Sequence, residues 1–597
     1  MVSRVIHNLQ DFDEVWCCDT EYHAPDGERP RVINLCAIEV VSGREILLWE
    51  DELNQLDECP FRTDDRAMFV CWTATAELSV WHQLGWDEPA VLLDLYCEER
   101  VLNNGRYKGK GQFGVLETCR RYGIDGIGAD EKDRNRELAI RGFPFTECEK
   151  RSLNRYVKSD VVALTKLLPV MLPKIKHPRL AMFRSAYMKA TARTEHAGTP
   201  LDPQIDILKK VWEKRLPQLV EEVDLKYDCY EGLRFSQDKF EDYLEREGIE
   251  WPLTATGLLS TDQQTFSDMS QGYPQLSELH ELRKCVSDTK NLKVAYGKDF
   301  RNRTGLVPFG TETSRNAPSG NKFIFTCSKV HRFWVKPEEG WALANLDFRA
   351  QEVGVGASLS GDRQLMEMYS SGDPYLEMAK RSGSIPPEGT KSTHSEERGR
   401  FKALSLGIIY GMATVTLASR IGCSMPEAEK LMRFHKNTFF QFWKWLNQCV
   451  SSGLLKNEIV TRYGWYRTLI DHEVLGTKGE VQVRDTNVRS VQNFFMQAHA
   501  SHILQVSMIQ LWDANIQVVA PLHDSVLIYA PADLISEQVE QATQIMEEAS
   551  RIVLNGFTID VESQIVRYPD RLGDESPGAI DMWNKILRLV PEIKEYP

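Results

Sequence analysis

The stretch RGRFKALSLGIIYGM, Arg398–Met412, is the most informative segment of the sequence. Four side chains within it are spaced by four residues: Arg398, Lys402, Leu406 and Tyr410. Residues four apart lie on one face of an α-helix, so this face carries two cations, then an apolar side chain and then an aromatic ring. Cations in line can bind phosphates while the ring faces a base. The stretch therefore predicts a helix that binds a nucleoside triphosphate.

Two glycines in the same stretch need an explanation, because glycine disfavours helix. Gly407 and Gly411 have no side chain, so we expect a flat or bulky group to approach the backbone there. The alternative is a surface helix whose charges are solvated and whose Leu406 and Tyr410 face the core. Spacing alone does not separate the two interpretations, and the flanking sequence has to decide.

Two acidic residues flank this helix in the chain, each at the end of an apolar segment. Trp341–Asp347 has the pattern of a strand that ends on its acid, and a helix with Glu352 near its start follows it. His523 and Asp524 lie between two further apolar segments, which predicts a tight turn between two strands. Two carboxylates brought together can hold two divalent ions about 4 Å apart. We therefore expect Asp347 and Asp524 to share a metal site.

The N-terminal part of the chain carries a second set of acids. Residues 1–180 have the pattern of an α/β domain, in which apolar strands precede helical segments. The strand Val15–Cys18 leads into Asp19 and Glu21, which alternation places on one face. Such a pair can bind a hard cation such as Mg²⁺. The same Asp-x-Glu pattern recurs at 560–562, where we assign it no role, so the motif alone is weak.

Three further side chains support the N-terminal pair. Glu77 lies near the start of one predicted helix, and Tyr156 and Asp160 lie four apart on one face of another. Asp94 is an alternative ligand. Its position just after an apolar strand favours a helix N-cap instead.

Composition limits the class of protein. A chain of 597 residues suggests several domains, and a formal net charge of −14 argues against non-specific coating of nucleic acid. No apolar run is long enough to span a membrane, and the first residues lack the apolar core of a signal peptide. The 13 cysteines show no paired CxxC spacing, which favours a reducing, cytoplasmic compartment.

Several polar or aromatic segments complete the pattern. Residues 281–336 contain twelve Lys or Arg against four Asp or Glu, which predicts a track for a phosphate backbone, with a solvated charged face as the alternative. Arg315 and Asn316 lie there in a polar turn. A polar line along one helix face is predicted at Arg489, Asn493 and Gln497. Pro426–Leu446 is predicted to be one long helix whose Phe- and Trp-rich face lies in the core.

The order and spacing of these motifs resemble family A DNA polymerases, the class of bacterial DNA polymerase I and many phage replicative enzymes. The first family motif corresponds to Asp347–Glu352, the second to Arg398-x3-Lys402-x7-Tyr410-Gly411 and the third to His523-Asp524. The resemblance covers nearly the whole chain. It implies a multidomain α/β and α+β protein with a right-hand polymerase domain over residues 181–597. Within it we expect a thumb at about 200–300, a palm at about 301–360 and 510–597, and fingers at about 361–509.

The resemblance also implies roles for the matched residues. Asp347 and Asp524 would hold two Mg²⁺ ions, with Mn²⁺ as an alternative, for the addition of deoxynucleotides to a primer on a DNA template. Glu352 would crowd a ribose 2′-hydroxyl. The residues expected at the nucleotide and the reacting centre are Arg398, Lys402, Leu406, Tyr410, Glu352 and His523. Those expected to contact primer and template are Arg315, Asn316, Arg489, Asn493 and Gln497.

The N-terminal acids resemble the carboxylate set of proofreading 3′–5′ exonucleases, in the DEDDy subclass that has Tyr four residues before the last Asp. This likeness implies an RNase H-like domain over residues 1–180. Its metal ligands would be Asp19, Glu21, Glu77 and Asp160, and Tyr156 would orient the attacking water. One position departs from the family, which usually has Asp where this chain has Glu77. The extra methylene shifts the carboxylate oxygens.

Two departures concern the polymerase motifs. Ser525 stands where the third motif usually has Glu, and we expect activity to survive because that acid is the less essential one. Leu406 stands where the family usually has Phe or Tyr. In the family Tyr admits dideoxynucleotides and Phe discriminates against them, so Leu406 predicts poor dideoxynucleotide use.

The chain has no room for the N-terminal nuclease that removes 5′ ends in full-length bacterial polymerase I. This favours a phage enzyme that acts as a monomer in the host cytoplasm, and a processivity partner is not readable from the sequence. Two other interpretations stay open. One is a DNA-binding exonuclease whose polymerase half is inactive, and the other is a catalytically silent replication scaffold.

Overall fold

The computed structural model describes residues 9–107, 111–124, 129–254, 256–289, 294–318, 320, 322–469, 472–475, 481–484 and 488–594. Its strands are β1 (Glu14–His23), β2 (Arg31–Glu39), β3 (Glu45–Trp49), β4 (Ala67–Cys71), β5 (Val91–Asp94), β6 (Thr199–Pro200), β7 (Tyr230–Glu231), β8 (Arg234–Phe235), β9 (Arg301–Asn302), β10 (Trp341–Phe348), β11 (Glu458–Val460), β12 (Tyr466–Thr468), β13 (His472–Leu475), β14 (Val481–Arg484), β15 (Val518–Leu522), β16 (Ser525–Pro531) and β17 (Val561–Arg567).

Helices surround these strands. They are α1 (Glu50–Leu53), α2 (Ala74–Leu84), α3 (Leu95–Asn103), α4 (Val115–Arg121), α5 (Ala129–Arg141), α6 (Glu147–Met171), α7 (Pro178–Ala197), α8 (Ile205–Tyr227), α9 (Gln237–Glu247), α10 (Gln263–Gly272), α11 (Ser277–Thr289), α12 (Gln351–Ser360), α13 (Arg363–Ser370), α14 (Pro374–Arg381), α15 (Ser395–Ile409), α16 (Thr414–Ile421), α17 (Met425–Thr438), α18 (Phe440–Lys456), α19 (Val488–Asp513), α20 (Ile535–Val553) and α21 (Pro577–Leu589). Among the described residues, no helix combines the length and the apolarity that a membrane crossing requires.

The N-terminal sheet has the strand order β3-β2-β1-β4-β5. β1 runs antiparallel to β2 and parallel to β4. Along β1, Trp16 and Cys18 belong to one apolar core, whereas Val15 and Cys17 belong to a second core with residues of α6. Both faces are therefore covered, as the predicted α/β pattern requires. β1 is longer than the predicted Val15–Cys18, because it continues through the acids to His23.

The second large sheet has the antiparallel order β15-β16-β10-β17. In β10, Ala342, Ala344 and Leu346 point into one core, and Leu343 points into the other. Alternation puts Asn345 and Asp347 on the same side as Leu343. That side changes from apolar to polar toward the end of the strand, and it forms the wall of a cleft.

The central helix ends earlier than predicted. α15 runs from Ser395 to Ile409, Tyr410 caps it, and Gly411 follows with φ 68°. A Cβ on Gly407 would lie 2.8 Å from Cδ1 of Leu417, so this glycine makes room for a neighbouring side chain. Gly411 adopts the left-handed conformation that often follows a helix. The close approach of Leu417 to Gly407 agrees with the expected approach of a bulky group, and the approach of a bound ligand to either glycine stays a prediction.

The predicted long helix at 426–446 is also wrong in one respect. The structure breaks it into α17 and α18 at Phe439, whose φ of −108° and ψ of 47° are not helical. Phe439 and Phe442 are buried, as expected for a core face. Phe440, however, is 68% exposed, because the break turns it away from the core.

Candidate active sites

The end of β10 brings together two acids that are far apart in the sequence. Asp347 is the second-last residue of β10 and lies opposite Ser525 on β16 and Glu562 on β17. His523 and Asp524 form the two-residue connection between β15 and β16, as predicted. The backbone N–H of Phe348 donates to the carbonyl oxygen of Asp524 at 3.0 Å. The strand end and the hairpin turn are thus tied directly to each other.

The two carboxyls influence each other. Burial raises the pKa of Asp347, and the charge of Asp524 raises it further. Burial likewise raises the pKa of Asp524. Lys402 opposes the shift in both pKa values. Keeping two partly buried carboxylates ionised side by side costs free energy unless cations bind between them. The pair is therefore suited to binding divalent ions.

A cleft of about 700 Å³ opens over the pair. Its polar lining comes from distant parts of the chain. The charged and amide side chains among its lining residues are Arg315, Asn316, Lys329, Arg332, Asn345, Asp347, Lys402, His523, Asp524, Gln564, Asp574 and Glu575. Of the four-spaced face of α15, Lys402 thus reaches the cleft that holds Asp347 and Asp524.

Glu352 lies at the centre of a second group of predicted residues. The hydroxyl of Tyr410 donates to one carboxylate oxygen of Glu352. Arg315 Nη2 lies 3.3 Å from the other. Gln497 also forms a hydrogen bond with Tyr410. Residues from the polar turn, α12, the end of α15 and α19 therefore meet around the Glu352 carboxylate and the Tyr410 hydroxyl.

Other predicted residues have different neighbours. Arg398 donates from Nε to the carboxylate of Asp373, whose other oxygen caps α14. Leu406 is half-buried on the same helix. Asn316 Oδ1 accepts from the hydroxyl of Tyr187 at 2.9 Å.

The predicted polar line lies on α19, near its start. Arg489 is exposed, and its Cγ would lie 3.2 Å from a Cβ on Gly411. Asn493 Oδ1 is buried, and no partner is found for it among the described residues. Such an amide oxygen can accept a hydrogen bond from a donor outside the described residues.

The basic segment is less open to phosphates than its composition suggests. Arg303 and Lys336 are buried. Carboxylates from other segments pair with several of its cations: Glu338 with Arg301, Glu352 with Arg315, Asp26 with Lys322, Asp574 with Lys329 and Arg332, and Asp202 with Lys336. Lys290 and Lys293 lie outside the described residues. Arg315, Lys329 and Arg332 line the cleft, and the phosphate-backbone track stays a prediction.

A second acidic cluster lies on the N-terminal sheet. Ligand oxygens of Asp19, Glu21 and Asp160 are all within 4.8 Å of one another. β1 and α6 explain this, because Asp19 and Glu21 continue the strand face that packs on α6. Burial raises the pKa of Asp19, as does the charge of Asp160. Asp19 Oδ2 is buried, with no hydrogen-bond partner among the described residues.

Glu77 lies outside this group of three. Its helix, α2, packs on the opposite face of the sheet, where Glu77 is buried and accepts from the hydroxyl of Thr20 at 2.6 Å. Its carboxyl still interacts with Asp19. Tyr156 is buried beside the cluster, and burial raises its pKa.

Asp94 is an N-cap, as the sequence favoured. Its carboxylate accepts from the N–H groups of Tyr96 and Cys97, in the first turn of α3, at 2.8 and 3.2 Å. It also accepts from Ala74 at the start of α2, at 2.6 Å. One buried carboxylate therefore caps two helices.

Sequence reasoning missed three charged neighbours of these sites. Lys132 forms an ion pair with Asp160, and Asp373 forms one with Arg398. Glu562 lies opposite Asp347 in the sheet. Lys132 and Asp373 belong to no motif. The Asp-x-Glu pattern at 560–562 was noticed, but only strand register reveals its neighbour.

Comparison with known proteins agrees with this architecture. Residues 236–566 match the family model for DNA polymerase family A. The solved POL domain of Pol1 from M. smegmatis, in complex with DNA primer-template and dNTP, has a TM-score of 0.67 and 19% sequence identity over 92% of this chain and 95% of that one. At this identity the likeness concerns the fold.

Curated relatives point to the same family. DNA polymerase I of Aquifex aeolicus is 24% identical over 69% of this chain and 74% of its own length. The DNA polymerase of Escherichia phage T5 is 22% identical over 68% of this chain and 54% of its own. The thermostable DNA polymerase I of Thermus thermophilus is 26% identical over 37% of this chain, which spans only 26% of that protein. Since the family model covers more than half of the sequence, the chain belongs to DNA polymerase family A.

Proposed function

We propose that this protein is a template-directed DNA polymerase with a 3′–5′ proofreading exonuclease. The observation that carries the polymerase is the cleft in which Asp347, Asp524 and Lys402 meet. Family membership supports it. The solved neighbour is a complex with DNA primer-template and dNTP, which supports the same ligands for this chain.

In the proposed extension reaction, the primer 3′-oxygen attacks the α-phosphorus of a deoxynucleoside triphosphate. A phosphorus–oxygen bond forms to the primer, the bond to the leaving pyrophosphate breaks, and the hydroxyl proton passes to solvent. Asp347 and Asp524 would hold divalent ions, Mg²⁺ or Mn²⁺, which lower the pKa of the hydroxyl and neutralise the phosphates. Lys402 binds the triphosphate from α15, and Arg398 joins it by exchanging Asp373 for a phosphate oxygen.

Glu352 and Tyr410 then select the sugar and the base pair. Glu352 occupies the position where a ribose 2′-hydroxyl would enter, and Tyr410 lies at the nascent pair. The residues proposed to contact primer and template are Arg315, Asn316, Arg489, Asn493 and Gln497. The matching domain proposal is an exonuclease at 1–180, a thumb at about 200–300, a palm at about 301–360 and 510–597, and fingers at about 361–509.

A specific observation favours the second activity. Three carboxylates converge within 4.8 Å on the N-terminal sheet, and one buried oxygen of Asp19 has no partner among the described residues. In the proposed hydrolysis, water attacks the last phosphodiester, the bond from phosphorus to the 3′-oxygen breaks, and a nucleoside 5′-monophosphate leaves. Asp19, Glu21 and Asp160 would hold the metal ions for this step, with Glu77 contributing through Asp19, and Tyr156 orients the water.

Phage origin, action in the host cytoplasm and a monomeric state complete the proposal. Similarity to the phage T5 polymerase supports the first of these. The T5 protein is longer than the segment matched here, so the comparison concerns the shared part.

Primer extension with Mg²⁺ and four deoxynucleotides tests the proposal against a scaffold or a nuclease with a silent polymerase half. Asp347→Asn should abolish extension and spare 3′–5′ degradation of a labelled strand. Asp19→Ala should do the reverse. Loss of both activities in either variant would refute the assignment of two separate sites, and a chain without extension activity would refute the polymerase.

A further inference from the structure

The N-terminal acidic cluster contains a cation that no motif predicted. Lys132, on α5, places its Nζ 2.9 Å from Oδ2 of Asp160. The same Nζ lies 5.6 Å from the ring centre of Tyr156. Its charge also acts on Asp19 and Glu21, whose pKa values burial raises and Lys132 lowers. A single ammonium group therefore interacts with every member of the cluster.

The helix that carries Lys132 is fixed to the site. Asn135, further along α5, is fully buried, and its Oδ1 accepts from the hydroxyl of Ser152 at 2.8 Å. Ser152 lies two turns before Asp160 on the same face of α6. Near the end of α5, a ring nitrogen of His23 lies 3.2 Å from the carbonyl oxygen of Ala139. α5 is thus held against both β1 and α6, the elements that carry the acids.

The ion pairing of Lys132 distinguishes between two possible roles for this side chain. Among the cluster carboxylates in the described part of the chain, Asp160 is the one within ion-pair distance of its Nζ. The charge of Lys132 acts on Asp19 and Glu21 without a direct ion pair to either in the described part of the chain. A lysine that substituted for a metal ion would contact several carboxylates at once. Lys132 instead forms an ion pair with Asp160, so Asp19 and Glu21 can still bind an ion.

We propose that Lys132 is a positioning residue of this nuclease site, which holds the Asp160 carboxylate facing Asp19 and Glu21 so that the three can bind a divalent ion together. The inference rests on the nuclease function proposed above. Its physical basis is orientation, because the ion pair with Lys132 fixes the Asp160 carboxylate where its ligand oxygen lies within 4.8 Å of those of Asp19 and Glu21. The ion pair is only partly exposed, with 23% of the Lys132 side chain and 12% of the Asp160 side chain accessible, so it is screened less than a surface pair.

The test compares Lys132→Met, which removes the charge and keeps the length, with Lys132→Arg, which keeps the charge. Lys132→Gln provides a second neutral variant in case Met disturbs folding. Lys158→Met is the matched control, because Lys158 is a lysine on α6 that is paired with Glu45 on the exposed surface. Primer extension by each variant serves as an internal check that the chain is folded.

Two quantities are measured. The first is the rate of shortening of a 5′-labelled single strand in Mg²⁺. The second is binding of Mn²⁺ in an Asp347→Asn background, followed by the paramagnetic signal of free Mn²⁺. Loss of a group that orients a metal ligand typically costs about tenfold to a hundredfold. We therefore expect Lys132→Met and Lys132→Gln to weaken Mn²⁺ binding and slow degradation by about tenfold or more, with Lys132→Arg restoring most of both.

The sign of the Mn²⁺ effect decides between roles. A lysine that merely competed with the ion would give tighter Mn²⁺ binding when removed, and this result would overturn the proposal. So would degradation by Lys132→Met at the unmodified rate, or an equal loss in Lys158→Met. An unmodified chain that does not shorten DNA would refute the nuclease function and this inference with it, whereas a chain that does, unaffected by Lys132→Met, would refute only the role of Lys132.

Discussion

The hydroxyl of Tyr410 donates a hydrogen bond to the carboxylate of Glu352, so the residue that caps α15 is joined to the first turn of α12. Arg315 holds the other oxygen of the same carboxylate. Glu352 is therefore fixed from two sides, and a fixed side chain can discriminate by size where a mobile one would move aside.

Replacement of Glu352 by Ala should admit ribonucleotides. The smaller side chain leaves room for a 2′-hydroxyl, and we expect the ratio of ribonucleotide to deoxynucleotide incorporation to rise by about tenfold or more. Single-nucleotide incorporation kinetics measure this ratio. Tyr410→Phe is the control, since it removes the bond and keeps the carboxylate, and its effect should be smaller. Equal ratios in Glu352→Ala and the unmodified chain would show that another group excludes the 2′-hydroxyl.

Leu406→Tyr should improve the use of dideoxynucleotides. The tyrosine brings a hydroxyl to a half-buried position that has only an apolar side chain. One added hydrogen bond is worth about 1 kcal/mol, or about a fivefold gain in relative use. Chain-termination ratios on a fixed template measure it. Leu406→Phe supplies the ring without the hydroxyl and should give no gain, and a gain in both variants would assign the effect to the ring.

Asp94→Ala should destabilise the N-terminal sheet. The change leaves buried N–H groups of Ala74, Tyr96 and Cys97 without an acceptor. The expected loss is about 2–4 kcal/mol of unfolding free energy, measured in urea. Asp262→Ala removes an exposed N-cap that accepts from Thr265, and it should cost about 1 kcal/mol. Equal losses of unfolding free energy in the two variants would mean that burial does not strengthen the Asp94 cap.

Acid should destabilise the protein through its buried histidines. His435 is buried and accepts from Nε1 of Trp443 at 3.1 Å, and burial lowers its pKa to about 3. Burial also lowers the pKa of His331 to about 4 and that of His502 to about 3. A lowered pKa means that the unfolded state binds protons more readily. The contribution of these neutral histidines to the free energy of unfolding is thus complete above the ordinary histidine pKa of 6.5, and it is lost as the pH falls toward 3.

His435→Asn tests this single contribution. Asparagine keeps an acceptor for Trp443 and does not titrate. Between pH 6 and 4, the fall in unfolding free energy should become shallower by about 1.4 kcal/mol per pH unit, which corresponds to one proton. Thermal and urea unfolding across this range measure the slope. An unchanged slope would mean that His435 takes up its proton in the folded state.

The parts of the sites that sequence predicted share one property, which is that local pattern determines them. Helical spacing places Tyr156 and Asp160 on one face. For Asp347 and Asp524 the pattern predicts only that each lies at a strand end, and the pairing of β10 with β16 brings the two together. The hydrogen bond between Glu352 and Tyr410 is not readable from either pattern, because it joins two elements that are far apart in the sequence.

What sequence did not predict depends on contacts between distant segments. The cations of residues 281–336 are paired with Asp26, Asp202 and Asp574, which no count within the segment includes. Lys132 lies on a polar helix without apolar periodicity, so nothing local distinguishes it from a solvated lysine. The break at Phe439 contains neither Gly nor Pro, and packing rather than propensity sets it.

The pairing of Arg398 with Asp373 has a consequence for which ligands the free enzyme accepts. A phosphate that binds this guanidinium competes with the Asp373 carboxylate, so a more highly charged phosphate group displaces the carboxylate more readily. Nucleosides with one phosphate, or with phosphates held out of line, should leave this pair intact. In the proposed polymerase reaction, the resting ion pair would then favour a complete triphosphate over a shorter phosphate chain.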